Sequence, residues 1–259
     1  MEPPISPRLY AVLLFFGMLI LLEAGRRLAV TRRSNESEGE RSSLGAIEGA
    51  VFALFGLLMA FTFSGAASRF NEKRMLVAEE ANAIETAYLR LHFVAEEAQP
   101  GLRQLFRKYL DSRLETYRKL PDMQEAGLEM ANSKRIQENI WTDAIAATRL
   151  PGSHPAAGLL LPLALNNMID IASTRTMALQ IHPPRVIYAL LFGLGLICSL
   201  LAGFRMAGGQ QRSWLHIFGF SAITVIVVYV MLDIEYPRTG LIRLEAADEM
   251  LIKLREGMK

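Results

Sequence analysis

Cysteine is almost missing from this sequence. Of 259 residues one is cysteine, Cys198, which excludes an internal disulfide framework and a cysteine-based zinc site. The four histidines, His92, His154, His182 and His216, are scattered, so no local spacing supports a histidine metal cluster either. Charge of one sign is also lacking: Lys+Arg 28 against Asp+Glu 26 leaves +2, too balanced for a nucleic-acid-binding domain. Charge altogether is thin at 21%, below the roughly 25% of an average soluble domain. No alternating apolar run is bounded by Asn-Gly or Asp-Gly, so strand signals are absent. Catalytic signatures are absent too. There is no Gly-x-Ser-x-Gly, no His-Glu-x-x-His, no phosphate-binding glycine loop and no dinucleotide fingerprint. The sequence therefore reads as a non-enzyme with no cofactor and no metal.

What the chain does have is apolar residues, 51% of the total, and that fraction excludes a disordered protein. Their placement decides the class. Four runs stand out: residues 9–22, 44–63 (interrupted only by Glu48), 186–206 and 214–232. The last three each approach the roughly 20 residues a helix needs to cross about 30 Å of hydrocarbon. The first is shorter. It reads as an uncleaved anchor, because Glu23-Ala24-Gly25-Arg26-Arg27 is a poor signal-peptide cleavage site and Arg8 alone is a weak basic start. Tyr10, Trp214, Tyr229 and Tyr236 lie close to the ends of these runs, where an amphipathic ring rests at headgroup level. Pro183-Pro184 opens the third run, and Pro237 and Gly240 close the fourth. Arg205, Gly208, Gly209 and Arg212 predict a tight polar turn that joins the last two runs as a hairpin.

Between the second and third runs lies a polar region, residues 67–185, holding 15 basic and 14 acidic residues; the charge kept out of the bilayer is concentrated there. Phe70, Val77, Ile84 and Leu91 recur every seven residues, with Ala81, Tyr88 and Ala95 four behind, a heptad-like seam that invites self-association. With no breaker before it, one helix is predicted over residues 44–97, leaving the membrane as a stalk that Pro100-Gly101 ends. Glu79-Glu80 and Glu96-Glu97 are expected on its solvated face. A second helix follows with Leu102, Phe106, Tyr109, Tyr117 and Leu120 inward. Pro121-Asp122 resets the chain before a third, residues 123–150, with Ile136, Ile140, Trp141, Ala144 and Ile145 on its apolar face. Residues 151–155, Pro-Gly-Ser-His-Pro, are a loop. A fourth helix, 159–181, carries Leu165, Ile169, Ala172 and Leu179 on one side.

The expected fold class is an all-α membrane protein: four transmembrane helices with a helical extramembrane bundle inserted between the second and third. The predicted divisions are 1–66 (helices 1 and 2), 67–185 (bundle and stalk), 186–233 (the hairpin of helices 3 and 4) and 234–259 (an amphipathic C-terminal tail).

Several side chains carry functional alternatives. Gly45, Gly49, Ala53, Gly56 and Ala60 in the second span, and Gly195, Ser199 and Gly203 in the third, form stripes that let helix backbones approach closely in lipid, either within a subunit or between subunits. Phe55, Met59 and Phe63 recur at i, i+4, i+8. They face lipid or core, or, if copies of the helix surround an axis, form an apolar constriction that gates by dewetting, with Arg69 and Lys73 at its mouth favouring anions. An intramembrane acid such as Glu48 raises a functional hypothesis, although it lies near enough to the start of its run to reach headgroup water. Asp233 and Glu235 read as solvated, as paired with Arg238 or Arg243, or as a ligand site. The arginines of the first connection (Arg26, Arg27, Arg32, Arg33 and Arg41) oppose those flanking the other spans, so the positive-inside tally leaves the side of the bundle open.

Three stretches resemble the bacterial bestrophin-like membrane proteins: the second span with its stalk, from Gly49 through Ala60-Phe61 to Glu80-Ala81; Leu165-Asn166 with Asp170 and Arg175, followed by Pro184; and the run from Leu232-Asp233 through Pro237 and Gly240 to Arg243. The resemblance implies a homo-oligomeric, multi-pass protein of the bacterial inner membrane, an anion channel whose second helices line the pore, with the bundle on the cytoplasmic side. It implies the lipid bilayer, copies of the same chain and small anions as partners. The sequence departs from bestrophins proper in its arginine-rich first loop and in showing no acidic calcium-binding cluster. A non-conducting scaffold or sensor, acting through the bundle, is the alternative of a different class.

Overall fold

Residues 6–32, 38–119, 122–206, 214–236, 241 and 245–258 are described by the computed structural model, and among them every regular element is a helix. These are α1 (Pro7–Arg32), α2 (Glu38–Leu89), α3 (Gln99–Arg118), α4 (Met123–Ala147), α5 (Ala157–Ala178), α6 (Arg185–Met206), α7 (Trp214–Glu235) and α8 (Glu245–Gly257), with short 3-10 turns at Arg90–Phe93 and Glu96–Ala98. Four of them, α1, α2, α6 and α7, are long and apolar enough to cross a membrane. At 52 residues α2 is about 78 Å long, more than twice the hydrocarbon thickness, so only part of it can be in lipid.

The chain forms two units, Met1–Arg69 with His182–Leu241, and Phe70–Ile181 with Ile242–Lys259. In the first, α6 and α7 both take α1 as their main packing partner. Leu14 and Met18 of α1, Phe55 of α2, Leu191 and Cys198 of α6, and Val228, Met231 and Leu232 of α7 share one buried apolar cluster.

The α1–α6 contact is made backbone to backbone. A Cβ on Gly203 would lie 1.9 Å from the Leu22 carbonyl oxygen, and one on Gly25 would lie 2.0 Å from that of Leu200. Both distances are far inside van der Waals contact, so only glycine fits at either position. In lipid, where apolar burial gives helices no preference for each other, such close approach is the main source of association.

In the second unit α3 packs against α4, α4 against α5, and α8 against α3. The heptad-like seam is consumed here: Val77, Ile84 and Leu91 are fully buried with Phe106, Ile140, Leu161 and Leu165. The seam thus faces the chain's own helices, not a second copy. Leu102, Phe106, Tyr109 and Tyr117 are inward on α3, and Ile136, Ile140 and Ala144 on α4, as their spacing predicts; Trp141 and Ile145 are half-buried. Leu165 and Ala172 are buried on α5, with Ile169 and Leu179 half-buried. Leu120, Pro121 and the 208–212 turn lie outside the described residues. The Asp122 carboxylate caps α4, accepting from the amides of Gln124 and Glu125 at 3.0 Å.

The expected end of the stalk is displaced. Helix α2 stops at Leu89, Val94 and Ala95 are extended, and Pro100 lies in the first turn of α3. Proline begins a helix at no cost there, because the amide it lacks has no intrahelical partner. What turns the chain is the 151–155 loop: the His154 amide donates to the Phe93 carbonyl at 2.8 Å, and the Ala95 amide donates to Ser153 Oγ at 2.9 Å. Gly152, at φ +90°, gives that loop its left-handed step.

Candidate functional site

From Gly49 to Ser68 the second helix has no charged residue, and its two faces differ. Glu48, Phe55, Thr62 and Ala66 are buried within the unit, spaced seven, seven and four apart. Gly195 makes the space for Phe55, since a Cβ there would touch its ring at 3.4 Å. On the other face Gly49, Ala53, Gly56 and Ala60 are exposed, and a Cβ on Gly49 or Gly56 would meet nothing within 4 Å.

The expected constriction set is therefore split. Phe55 belongs to the unit's own core, Met59 is half-buried against the same cluster, and Phe63 is 40% exposed. The reason is helical drift: eight residues at about 100° each leave Phe55 and Phe63 roughly 80° apart around the axis. Gly45 lies beneath the Arg205 guanidinium, whose Nε is 3.0 Å from Glu48 Oε2. Glu48 is thus buried beside a cation. Ser199 spends its hydroxyl on the Gly195 carbonyl one turn back, at 2.8 Å.

At the far end of the same stretch, Glu235 has a fully buried side chain. Arg69 grips it through two nitrogens: Nη2 lies 2.8 Å and Nε 3.0 Å from Oε2. His182 Nδ1 is 3.2 Å from Oε1, and its ring stacks on Tyr236 at 4.8 Å. This corrects one expectation. The Glu235 side chain is buried and not solvated, and its described partners are Arg69 and His182; Arg238 and Arg243 lie outside the described residues. Lys73 is buried as well. Asp233 is buried and accepts from the Leu241 amide at 3.0 Å.

The second unit has a charged centre of its own. Glu80 is completely buried, with Arg113 Nε at 2.6 Å from one oxygen and Arg175 Nη1 bonded to the other. Arg175 also reaches Asp248 of α8 at 3.2 Å, and Arg113 donates to the Tyr117 hydroxyl. Two carboxylates face two guanidiniums there among the described residues. Burial opposes the Glu80 charge, but the two guanidiniums outweigh it and hold that carboxyl below the usual carboxylate range. Burial pushes the nearby Tyr109 hydroxyl above its ordinary value. The expectation that Glu80 lies on a solvated face fails here; Glu79, Glu96 and Glu97 do lie exposed.

A sequence profile of the Bestrophin-like domain matches residues 12–248. The chain belongs to the bestrophin-like family. Its fold is similar to crystal structures of a bacterial bestrophin homologue from Klebsiella pneumoniae carrying single mutations. One aligns at TM-score 0.63 and 16% identity, covering 94% of this chain and 98% of that one. Two more align at TM-score 0.61, with 16% and 17% identity, each covering 94% of this chain and 97% of the other. At such identities the likeness is one of fold. No curated protein matches the sequence.

Of the family-like motif residues in this bestrophin-like chain, Arg175 and Asp233 are buried in polar contacts, Asn166 and Asp170 are exposed, and Pro237 and Gly240 lie outside the described residues. Sequence reasoning missed Gly25 as the partner of Gly203, and it missed Arg113 and Tyr117 as partners of Glu80 and Arg175. A faint signal existed for the second pair, since Arg113 falls on the face of α3 that also carries Phe106, Tyr109 and Tyr117.

Proposed function

We propose that this bestrophin-like chain assembles with copies of itself into a passive anion channel of the bacterial inner membrane. In this reading the second helices surround the pore, residues 67–185 form a bundle inserted between the second and third spans on the cytoplasmic side, and the chain acts as a conduit with no catalytic step. The observation that carries the reading is the exposed face of α2, uncharged over residues 49–68 and lined by Gly49, Ala53, Gly56 and Ala60, where a Cβ on Gly49 or Gly56 would meet no described atom within 4 Å. Small residues on an uncovered helix allow copies to crowd an axis. Membership of a family of channels supports the same assignment.

Phe63, with Met59 one turn before it, is the constriction in this arrangement, and Phe55 supports them from behind through Gly195. An apolar neck of this kind gates by dewetting. Because Glu235 offsets Arg69, selectivity is assigned to the neck more than to the arginine. The alternative, a non-conducting scaffold or sensor acting through its helical bundle, loses the heptad seam as a docking face, since Val77, Ile84 and Leu91 are buried in the chain's own core.

The purified chain in planar bilayers should give unitary currents whose reversal potential follows the chloride gradient, and Phe63→Ala should raise their conductance. Folded, oligomeric protein that stays silent in several lipids and salts would refute the reading. Currents that follow the cation gradient would refute the anion assignment alone.

A further inference from the structure

One end of the membrane-crossing unit carries a pocket of about 330 Å³ where α1, α6 and α7 meet. Its floor is apolar, formed by Leu19 and Leu22 of α1, Met206 of α6 and Ile217 of α7. Its mouth is basic. Glu23, Arg26 and Arg27 follow directly on the apolar run that ends at Leu22, so they lie at the depth where hydrocarbon gives way to headgroups. Trp214 stacks on Phe218 at 5.6 Å on the α7 side, at the level an indole ring favours.

The charges at this mouth do not cancel. Glu23 accepts from Arg26 Nε at 3.1 Å and Nη2 at 3.0 Å, and from Arg27 Nε at 2.9 Å. One carboxylate thus holds two guanidiniums side by side. Each guanidinium has five N–H donors, so both keep donors beyond those Glu23 occupies. The described charges lining the site sum to positive, and it offers fork-shaped donors suited to a phosphate diester with an apolar recess beside them that takes hydrocarbon.

We propose that this pocket binds an anionic phospholipid, the phosphate held by Arg26 and Arg27 and the upper acyl chain lying on Leu19, Leu22 and Ile217 beneath Trp214. The occupant is a lipid and not a soluble phosphate, because the recess is apolar and the unit lies in a bilayer. The inference does not depend on conduction: a scaffold with the same helices would hold the same lipid. Its consequence is mechanical, since the lipid would tie the start of α7 to the locked α1–α6 pair.

The test uses the full chain in phosphatidylcholine nanodiscs doped with phosphatidylglycerol, with retained lipid counted by native mass spectrometry. Phosphatidylglycerol should be enriched over its bulk fraction. The double variant Arg26→Gln/Arg27→Gln should cut that enrichment by about tenfold, the equivalent of about 1.4 kcal/mol. Lysine at both positions should restore most of it, and Arg185→Gln, at the start of α6, should leave it unchanged. Helix content by circular dichroism separates loss of the site from loss of the fold; if the glutamine variant unfolds, Trp214→Ala, expected to lower enrichment, decides in its place. No enrichment in the wild type, or enrichment that survives both variants, overturns the proposal. Full competition by glycerol phosphate would overturn it as well, by assigning the pocket to a soluble anion.

Discussion

The guanidinium of Arg175 lies over the ring of Tyr117, its central carbon 3.6 Å from the ring centroid, while its nitrogens hold Glu80 and Asp248. One arginine therefore joins α2, α3, α5 and α8 through a cation–π contact and two ion pairs. A buried cluster of this kind is a weak source of net stability while intact and costly once broken, because each loss strands a desolvated charge.

Glu80→Ala should destabilise the second unit by about 3–5 kcal/mol, leaving Arg113 and Arg175 buried without their shared acceptor. Chemical unfolding followed by Trp141 fluorescence in a Trp214→Phe background reads that unit. A change below about 1 kcal/mol would show that water or Asp248 takes over the role of Glu80.

The same carboxylate sets an acid limit. Its folded-state pKa lies below the unfolded value of about 4.3, so its stabilisation is fully present above that value. It is lost as pH falls from there through the folded-state value. Unfolding midpoints of the wild type should drop over that acid range, and Glu80→Gln should flatten the drop while lowering stability at neutral pH. Equal acid slopes in the two proteins would contradict this.

Gly203→Ala and Gly25→Ala should each cost at least about 1–3 kcal/mol, since the added methyl must displace backbone and not a flexible side chain. Thermal stability and monodisperse yield in detergent report the effect. Gly49→Leu and Gly56→Leu, at positions where an added Cβ meets no described atom within 4 Å, should leave the protomer's melting unchanged and shift the oligomer mass measured by light scattering.

Arg69→Ala should be worse than the double variant Arg69→Ala/Glu235→Gln, because the single change takes from a buried carboxylate the guanidinium that grips it through two nitrogens. A double-mutant cycle on thermal stability should give a coupling between about 0.5 and 3 kcal/mol. Additivity would mean that Arg69 and Glu235 do not stabilise each other.

Much of the helical plan was legible because apolar length and periodicity are local properties. Val77, Ile84, Phe106 and Ile140 announce their faces by spacing alone, and the fold class with its four apolar helices follows from the runs. Pairings over long separations were not legible. Glu80 looks like any polar helix residue until Arg113 and Arg175 are folded against it, and Arg69, a partner of Glu235, stands 166 positions before it in the sequence. Heptad spacing also cannot distinguish a seam for another chain from one for the chain's own helices. The break after Leu89 was hidden for a similar reason, since the hydrogen bonds that turn it come from Ser153 and His154.

The contact between Gly203 and Leu22, repeated between Gly25 and Leu200, has a mechanical meaning. Sliding α6 along α1 by one residue would place a side chain where only a hydrogen atom fits, so the two helices have a single register available. They behave as one girder with two strands of chain inside it. Any opening or closing of the membrane-crossing unit must therefore be made by α2 and α7 moving against that girder.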